Sequence, residues 1–319
     1  PEITCGGFTA SGDKLTEKQA AEAVRRECDR QTASVLSVEK QTKNVQPPRL
    51  YDLTTLQREC NRIYGYTAQQ TLDYLQSLYE KKLATYPRTD SQYLTEDMQA
   101  TATSLILWLR DNMPFGKGCL GEPDIDRVTD GSKVTDHHAI IPTVEIARTD
   151  LSVLPSGERD VLTLIAMRLL CATGQTHRFE AVTAVLDCAG HPFTAKGKTV
   201  LQAGWKEIER LYRMGLKHAE PEKADPADAA LPELTQGQTF EPVAAGVREV
   251  KTSPPKHYTE DSLLAAMETA GGCRAQRLRH PGYPCRHTGK AGSNRLCAEK
   301  EETAHSHGKG NQPDYGPAG

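Results

Sequence analysis

The chain has 319 residues, a formal net charge of −3 and 37% hydrophobic residues. At about 100 to 200 residues per domain, that length holds two or three domains with cores of their own and excludes one small binding module. The charge excludes a broad basic field, so any nucleic-acid contact must be local, in a groove where Lys and Arg converge.

From Lys14 to Arg30, KLTEKQAAEAVRRECDR predicts a helix capped by Thr16 or Asp13, with Ala20, Ala23 and Val24 on one face. SVLSVEKQTKNV then alternates as a strand before Pro47 and Pro48 break it. Between Leu53 and Leu83 two helical patterns meet at a turn at Gly65, and Leu72, Leu75, Leu78 and Tyr79 form a core-packing stripe in the second. A further helix is expected from Thr95, with Glu96 and Asp97 in its first turn, toward Arg110. Residues 116–121 read as an exposed Gly-rich loop. SGERDVLTLIAMRLLCA, from Ser156 to Ala172, predicts an amphipathic helix. EAVTAVLDC, PFTAKGKTV and GWKEIERLY read as strands, so a helical insert interrupts a β-rich domain. The Pro, Ala and Glu-rich stretch HAEPEKADPADAALPELTQG reads as an exposed loop. FEPVAAGVREVKTSPP resumes strand-like text, and YTEDSLLAAMETAG predicts a helix capped by Thr259 or Asp261.

Residues 272–319 contain two Leu and no Ile, Val, Phe, Met or Trp, with eight Gly, eight basic and four acidic residues. Such a segment buries too little apolar surface to fold alone, and its charge of +4 leaves −7 on residues 1–271. Nine cysteines without a dense, even framework predict reduced thiols and no disulfides. There is no run of about 18 apolar residues, and PEITCGGF has neither an initiator Met nor a secretory signal pattern. The expectation is a soluble, cytoplasmic chain with no membrane partner, cut from something longer.

One segment, LATYPRTDSQYLTEDM, carries chemistry. A tyrosine that attacks phosphorus needs its phenolate stabilised as it forms, and a cation on the non-bridging oxygens. With an ordinary phenol pKa of about 10, it also needs nearby positive charge or a base. Tyr86 and Arg88 fit the first two roles, and Arg88 and Lys82 are the local cations. The guanidinium fork matches a phosphate in a way Lys does not. Asp90 serves either as a cap or as a support for Arg88, and Thr89 and Ser91 suit local bonds to backbone.

Tyr86-Pro87-Arg88-Thr89-Asp90-Ser91 resembles the active-site block of the type IA DNA topoisomerases, and within them the bacterial topoisomerase III class. DHHAIIPT at 136–143 is similar to the family's second nucleic-acid motif, and PPKHYTEDSLLAAME to a later block; the likeness covers most of residues 3–271. The resemblance implies that Tyr86 attaches to a 5′ phosphate and that Arg88 and His137 stabilise it, with Asp90, Thr89 and Lys82 in support. It puts Gln57, Arg58, Lys256, Tyr258 and Thr259 near DNA, although a solvated face explains Gln57 and Arg58, and an ordinary N-cap Thr259, equally well. The implied substrate is single-stranded DNA or DNA with single-stranded regions. The implied activity is ATP-independent relaxation or decatenation through a transient break in one strand.

The implied fold is multidomain α+β, a partial topoisomerase torus. A helical active-site domain at 50–165 is inserted in a β-rich gate domain built from 1–49 and 166–250, residues 251–271 start the return into a DNA-binding domain, and 272–319 form a disordered or frame-shifted tail. The family places Mg2+ in an N-terminal Toprim domain absent from this sequence, so the expectation is no metal site in this chain and possible pairing with a separate Toprim-bearing fragment. Asp124 and Asp126 form a DxD by spacing only and read as a solvated turn. Cys273, Cys285 and Cys297, with His280, His287, His305 and His307, lack the paired CxxC knuckles of a zinc ribbon. The alternative to an enzyme is an inactive DNA-binding remnant or a structural partner protein.

Overall fold

The computed structural model describes residues 1–119, 121–216, 230–255 and 257–269. Lys256, most of the Pro, Ala and Glu-rich stretch, and the tail with its Cys and His residues lie outside the described residues. The chain divides into two compact units. The first comprises Pro1–Arg49, Ala100–Val128 and Met167–Lys256; the second contains Leu50–Gln99, Thr129–Ala166 and the described residues from 257 on.

The first unit carries an antiparallel seven-stranded sheet in the order β6-β3-β4-β5-β2-β1-β7. β1 (Glu2–Cys5) and β2 (Phe8–Ser11) form a hairpin that the sequence reading did not anticipate. Its two-residue turn is Gly6-Gly7, at φ +53° and +82°, the left-handed pair that a tight hairpin needs and that glycine adopts without steric cost. β3 (Ala33–Val45), β4 (His177–Cys188) and β5 (His191–Gln202) pair along nearly their full lengths. Val182, Ala184, Leu186 and Cys188 are buried at alternate positions of β4, the period-2 pattern of a strand with one face on a core. Ile3, Phe8, Val35 and Phe193 pack in that core with Cys28, the last residue of α1 (Lys18–Cys28). The predicted caps of α1 are not used: its N-cap is Glu17, with no side-chain bond.

The strand-like text after Phe240 yields only two short strands, β6 (Thr239–Phe240) and β7 (Ala244–Gly246). β6 covers only the start of β3, at Ala33 and Ser34. Among the described residues no strand pairs with that edge of β3 farther along.

Two expectations fail in this unit. GWKEIERLY is not a strand but helix α6 (Trp205–Met214), whose Ile208 and Tyr212 fall four residues apart on one buried face. Residues 116–121 are not a fully exposed loop. A 3-10 turn at Pro114–Gly118 buries Phe115, Gly116 and Gly118, and a Cβ on Gly118 would lie 2.8 Å from the Ile208 backbone nitrogen. Close approach of two backbones, not solvation, accounts for the glycines. Residues 100–128, which the sequence reading grouped with the helical domain, belong to this strand-bearing unit, including nearly all of α4 (Gln99–Asn112).

The second unit is helical. α2 (Leu53–Tyr64) starts in a reciprocal capping box between Asp52 and Thr55, and ends at Gly65 with φ +71°, the left-handed C-cap. α3 (Ala68–Glu80) repeats the capping box with Thr67 and Gln70. Leu72, Leu75 and Leu78 are buried, each contributing about 2 kcal/mol by removal from water. Tyr79, read as part of that stripe, is 41% exposed instead. α5 (Ser156–Ala172) begins in this unit and ends in the other. Thr259 caps α7 (Glu260–Thr269): its hydroxyl accepts from Ser262 N–H at 3.2 Å, and Ser262 Oγ accepts from Thr259 N–H at 2.8 Å.

Candidate active site

The tyrosine segment leaves α3 through Lys82, whose φ of +62° turns the chain sharply. It is then stitched to residues 137–143 by a ladder of short bonds. Thr85 N–H donates to Ile141 O at 3.0 Å, Thr143 N–H donates to Leu83 O at 3.0 Å, and the Thr143 hydroxyl donates to Lys82 O. The Thr85 hydroxyl donates to Ala139 O at 3.1 Å and accepts from Ile141 N–H at 3.0 Å. Beneath this ladder Leu83, Ala84, Ala139, Ile140 and Ile141 are buried. The apolar AIIPT run therefore anchors an otherwise irregular segment, and the polar residues flanking it stay at the surface.

Tyr86 and His137, separated by 51 positions in sequence, are brought ring to ring, with centroids 4.1 Å apart and planes tilted by 33°. Thr89, only 3% exposed, donates from its hydroxyl to the backbone carbonyl of His137 at 2.6 Å and accepts from Ser91 N–H at 3.1 Å. Ser91, also buried, donates to Lys133 O at 3.0 Å. The two buried hydroxyls thus hold the histidine-bearing segment against the tyrosine-bearing one. Tyr79 meets the Tyr86 ring edge-on at 5.5 Å. Sequence reasoning missed this contact because Tyr79 sits next to Leu78 in an apolar stripe, yet a tyrosine at the rim of a stripe is free to face a neighbouring ring.

Arg88 is exposed, and its guanidinium has no hydrogen-bond or ion-pair partner among the described residues. Lys82 is likewise exposed, and among the described residues only its backbone is engaged, its N–H donating to Tyr79 O at 2.9 Å and its carbonyl accepting from the Thr143 hydroxyl. Asp90 neither caps a helix nor holds Arg88; its carboxylate accepts from the Thr135 hydroxyl at 3.4 Å. Asp52 lies near the same segment. Burial raises its carboxyl pKa above the usual range, opposed by hydrogen bonds from Thr55 and Gln92, while the Asp90 charge adds to the rise.

Several residues assigned to DNA are engaged elsewhere. Gln57 is fully buried and donates to Ala68 O at 3.0 Å, so it ties α2 to α3 and cannot reach a nucleic acid. Arg58 pairs with Asp261 at 2.9 Å and Glu268 at 3.3 Å, joining α2 to α7. Glu260 accepts from Ala68 N–H at 2.7 Å. With Glu260 and Asp261 in its first turn, the start of α7 repels a phosphate, and the Thr259 hydroxyl is taken by its cap. Tyr258 is 67% exposed. Lys256 lies outside the described residues.

Among the described residues no three His, Cys, Asp or Glu side chains converge to hold a metal ion. Asp52 and Asp90 do not fit magnesium, since one is a buried cap and the other is exposed with a single hydroxyl partner. Asp124 pairs with Arg127 at 2.9 Å in a half-exposed turn, in keeping with the solvated turn expected there despite the DxD spacing. No described helix is long and apolar enough to cross a membrane.

The chain is similar to known proteins in sequence and in fold. The DNA topoisomerase family profile matches residues 5–277. A DNA topoisomerase 3 of Bacillus cereus is 34% identical over 256 residues, which is 79% of this chain and 34% of the relative. One of Bacillus subtilis is 37% identical over 242 residues, 74% of this chain and 32% of the relative. A full-length topoisomerase I from Thermotoga maritima superimposes with a TM-score of 0.66 at 22% identity, over 89% of this chain and 45% of that one, and so shares the fold. The chain belongs to the DNA topoisomerase family, among the type IA enzymes. The Bacillus relatives put it in the topoisomerase III class, and it spans about a third of their length.

Proposed function

We propose that this chain contributes the nucleophile half of an ATP-independent type IA topoisomerase, acting in the cytoplasm on single-stranded DNA or on single-stranded regions of duplex. The Tyr86 oxygen attacks a backbone phosphorus. A bond forms between the phenol oxygen and the 5′ phosphate as the bond to the 3′ oxygen breaks. The phenol releases a proton and the departing 3′ oxygen gains one, so cleavage and religation are balanced without an energy source. Arg88 offers its fork to the non-bridging oxygens, and His137, packed on the Tyr86 ring, holds that ring and faces the same phosphate. The observation that carries this reading is the Tyr86–His137 pair at 4.1 Å, beside an unengaged guanidinium.

Magnesium, which the carboxylates here do not fit, is assigned to a Toprim domain outside this sequence, supplied by a longer polypeptide or a separate fragment. Passage of a second strand through the break then gives relaxation or decatenation. A helical active-site region inserted in a β-rich gate is part of the same proposal. The test is a cleavage assay on end-labelled single-stranded DNA with magnesium, using this chain with and without a Toprim fragment. A 5′-phosphotyrosyl adduct that disappears in Tyr86→Phe is expected. The reading falls if the complemented chain forms no adduct, or if the adduct survives Tyr86→Phe.

A further inference from the structure

The outer face of the β3-β4-β5 ribbon belongs to no site described so far. Its register places Lys43, Phe179 and Val200 in one row, Gln41, Ala181 and Lys198 in the next, and Glu39, Thr183 and Lys196 in a third. Because side chains alternate along a strand, these three rows share one face, opposite the face on which Val182, Ala184 and Leu186 are buried. Lys43 and Lys196 are exposed and form no ion pair among the described residues, and Val200 is 54% exposed. The Phe179 ring is half-buried and lies under the Lys198 ammonium, 4.4 Å from ring centroid to Nζ. A break in register between Arg178 and Phe179 leaves Leu201 as an extra residue, 54% exposed, beside this row.

Three lysines against one glutamate, around an aromatic ring and two exposed aliphatic side chains, stand out on a body whose residues 1–271 carry −7. Lys196 and Lys198, two residues apart on one strand, are separated by about 7 Å at their Cα atoms, a spacing on the scale of successive phosphates in an extended single strand. We propose that this face is a second, non-catalytic contact for single-stranded nucleic acid, with Lys43, Lys196 and Lys198 on the phosphates and Phe179 as the base-stacking ring. A ring presented at the surface of a sheet and flanked by cations is what a sequence-tolerant single-strand platform requires. An acidic protein segment would use the lysines and gain nothing from Phe179 beyond the packing of its ring on His177, 5.5 Å between centroids. The site extends the single-strand reading given above, but it does not depend on Tyr86 chemistry.

The experiment measures fluorescence anisotropy of a labelled oligothymidine of about 12 nucleotides, and of a duplex of equal length, at several salt concentrations. The proteins are the full chain, Lys43→Gln/Lys198→Gln, Lys198→Arg, Phe179→Ala and Tyr86→Phe. The lysine pair should lower the salt slope of single-strand binding by about 1.4, two charges at about 0.7 each. Phe179→Ala should weaken oligothymidine at least about fivefold, the low end for one stacked base, and leave duplex binding unchanged. Circular dichroism melting checks that each variant is folded. Lys198→Arg, which keeps the charge, should bind as the parent does. An unchanged slope in the folded lysine variant overturns the proposal, as does unchanged oligothymidine affinity in folded Phe179→Ala, or no binding by the parent chain. Because Tyr86→Phe should bind normally while forming no adduct, failure of this contact and failure of the cleavage reading give different patterns.

Discussion

At the scale of single residues, two kinds of group make up the candidate active site: side chains that hold the backbone and side chains that are left unengaged. Thr89 belongs to the first kind. Removing its hydroxyl in Thr89→Val leaves the His137 carbonyl and Ser91 N–H without that partner, and should lower stability by about 1–3 kcal/mol, read as an earlier denaturant midpoint; Thr89→Ser should recover most of it. Arg88 belongs to the second kind. Since no described group depends on it, Arg88→Ala should change stability by no more than about 0.5 kcal/mol, while cutting covalent adduct formation about 10²–10³-fold in the complemented assay. The pattern Tyr-Pro-Arg-Thr-Asp-Ser made this site legible, as did the HHAIIPT run for its second segment. The sequence did not show that Asp90 would turn to Thr135 instead of Arg88, or that Tyr79 would face Tyr86, because both choices depend on which neighbour the folded backbone delivers.

Elements were readable where periodicity and punctuation agreed. β3, α2, α3, α5 and the Thr259 cap of α7 are of this kind, each with a breaker or a cap at its end. α6 was misread because its ten residues span fewer than three turns, too short to separate a 3.6 period from alternation when aromatic and β-branched residues occupy the buried face. The role of Arg58 was hidden for another reason. Its partners Asp261 and Glu268 lie some two hundred positions away, and only folding brings an acidic helix start against a basic residue of α2. In Arg58→Met, amide exchange along α7 should speed up by a few fold, consistent with loss of about 0.5–1 kcal/mol of partly exposed pairing, while single-strand affinity stays unchanged. A parallel loss of affinity would return Arg58 to the nucleic-acid interface.

For the molecule as a whole, composition set the number of units but not where the chain passes between them. Residues 100–128 join the strand-bearing unit through buried contacts such as Phe115 on Tyr212, a pairing across nearly a hundred positions that no local pattern announces. The first unit also has a built-in acid sensitivity. His177 is 4% exposed, bonds through Nδ1 to Ala203 O at 3.0 Å, and has no hydrogen-bond partner for Nε2 among the described residues. Burial lowers its pKa below the usual 6.5, and the nearby Lys206 and Lys198 charges add to the effect, against the bond to Ala203. The unfolded chain therefore binds this proton more readily than the folded one. The resulting stability is present above pH 6.5 and is lost as pH falls from there through the depressed folded value. Urea melts at pH 7.5 and 5.5 should show a smaller loss on acidification for His177→Gln than for the parent chain.

The uncovered edge of β3 has a consequence for how the protein behaves in bulk. Past Val35, one side of that strand presents a row of backbone donors and acceptors with no partner strand among the described residues, the template on which a second chain could add a strand and start a growing ribbon. The text along that edge, Glu39-Lys40-Gln41-Thr42-Lys43-Asn44, places two ammonium groups and a carboxylate where a neighbour's strand would have to dock. Each such docking would strip water from those charges and bring like ammonium groups together. Colloidal stability is thus written into the strand itself. Replacing Lys40 and Lys43 with Val should leave the fold intact and raise the tendency to form β-rich aggregates on concentration above that of the parent chain, measured by light scattering and thioflavin fluorescence.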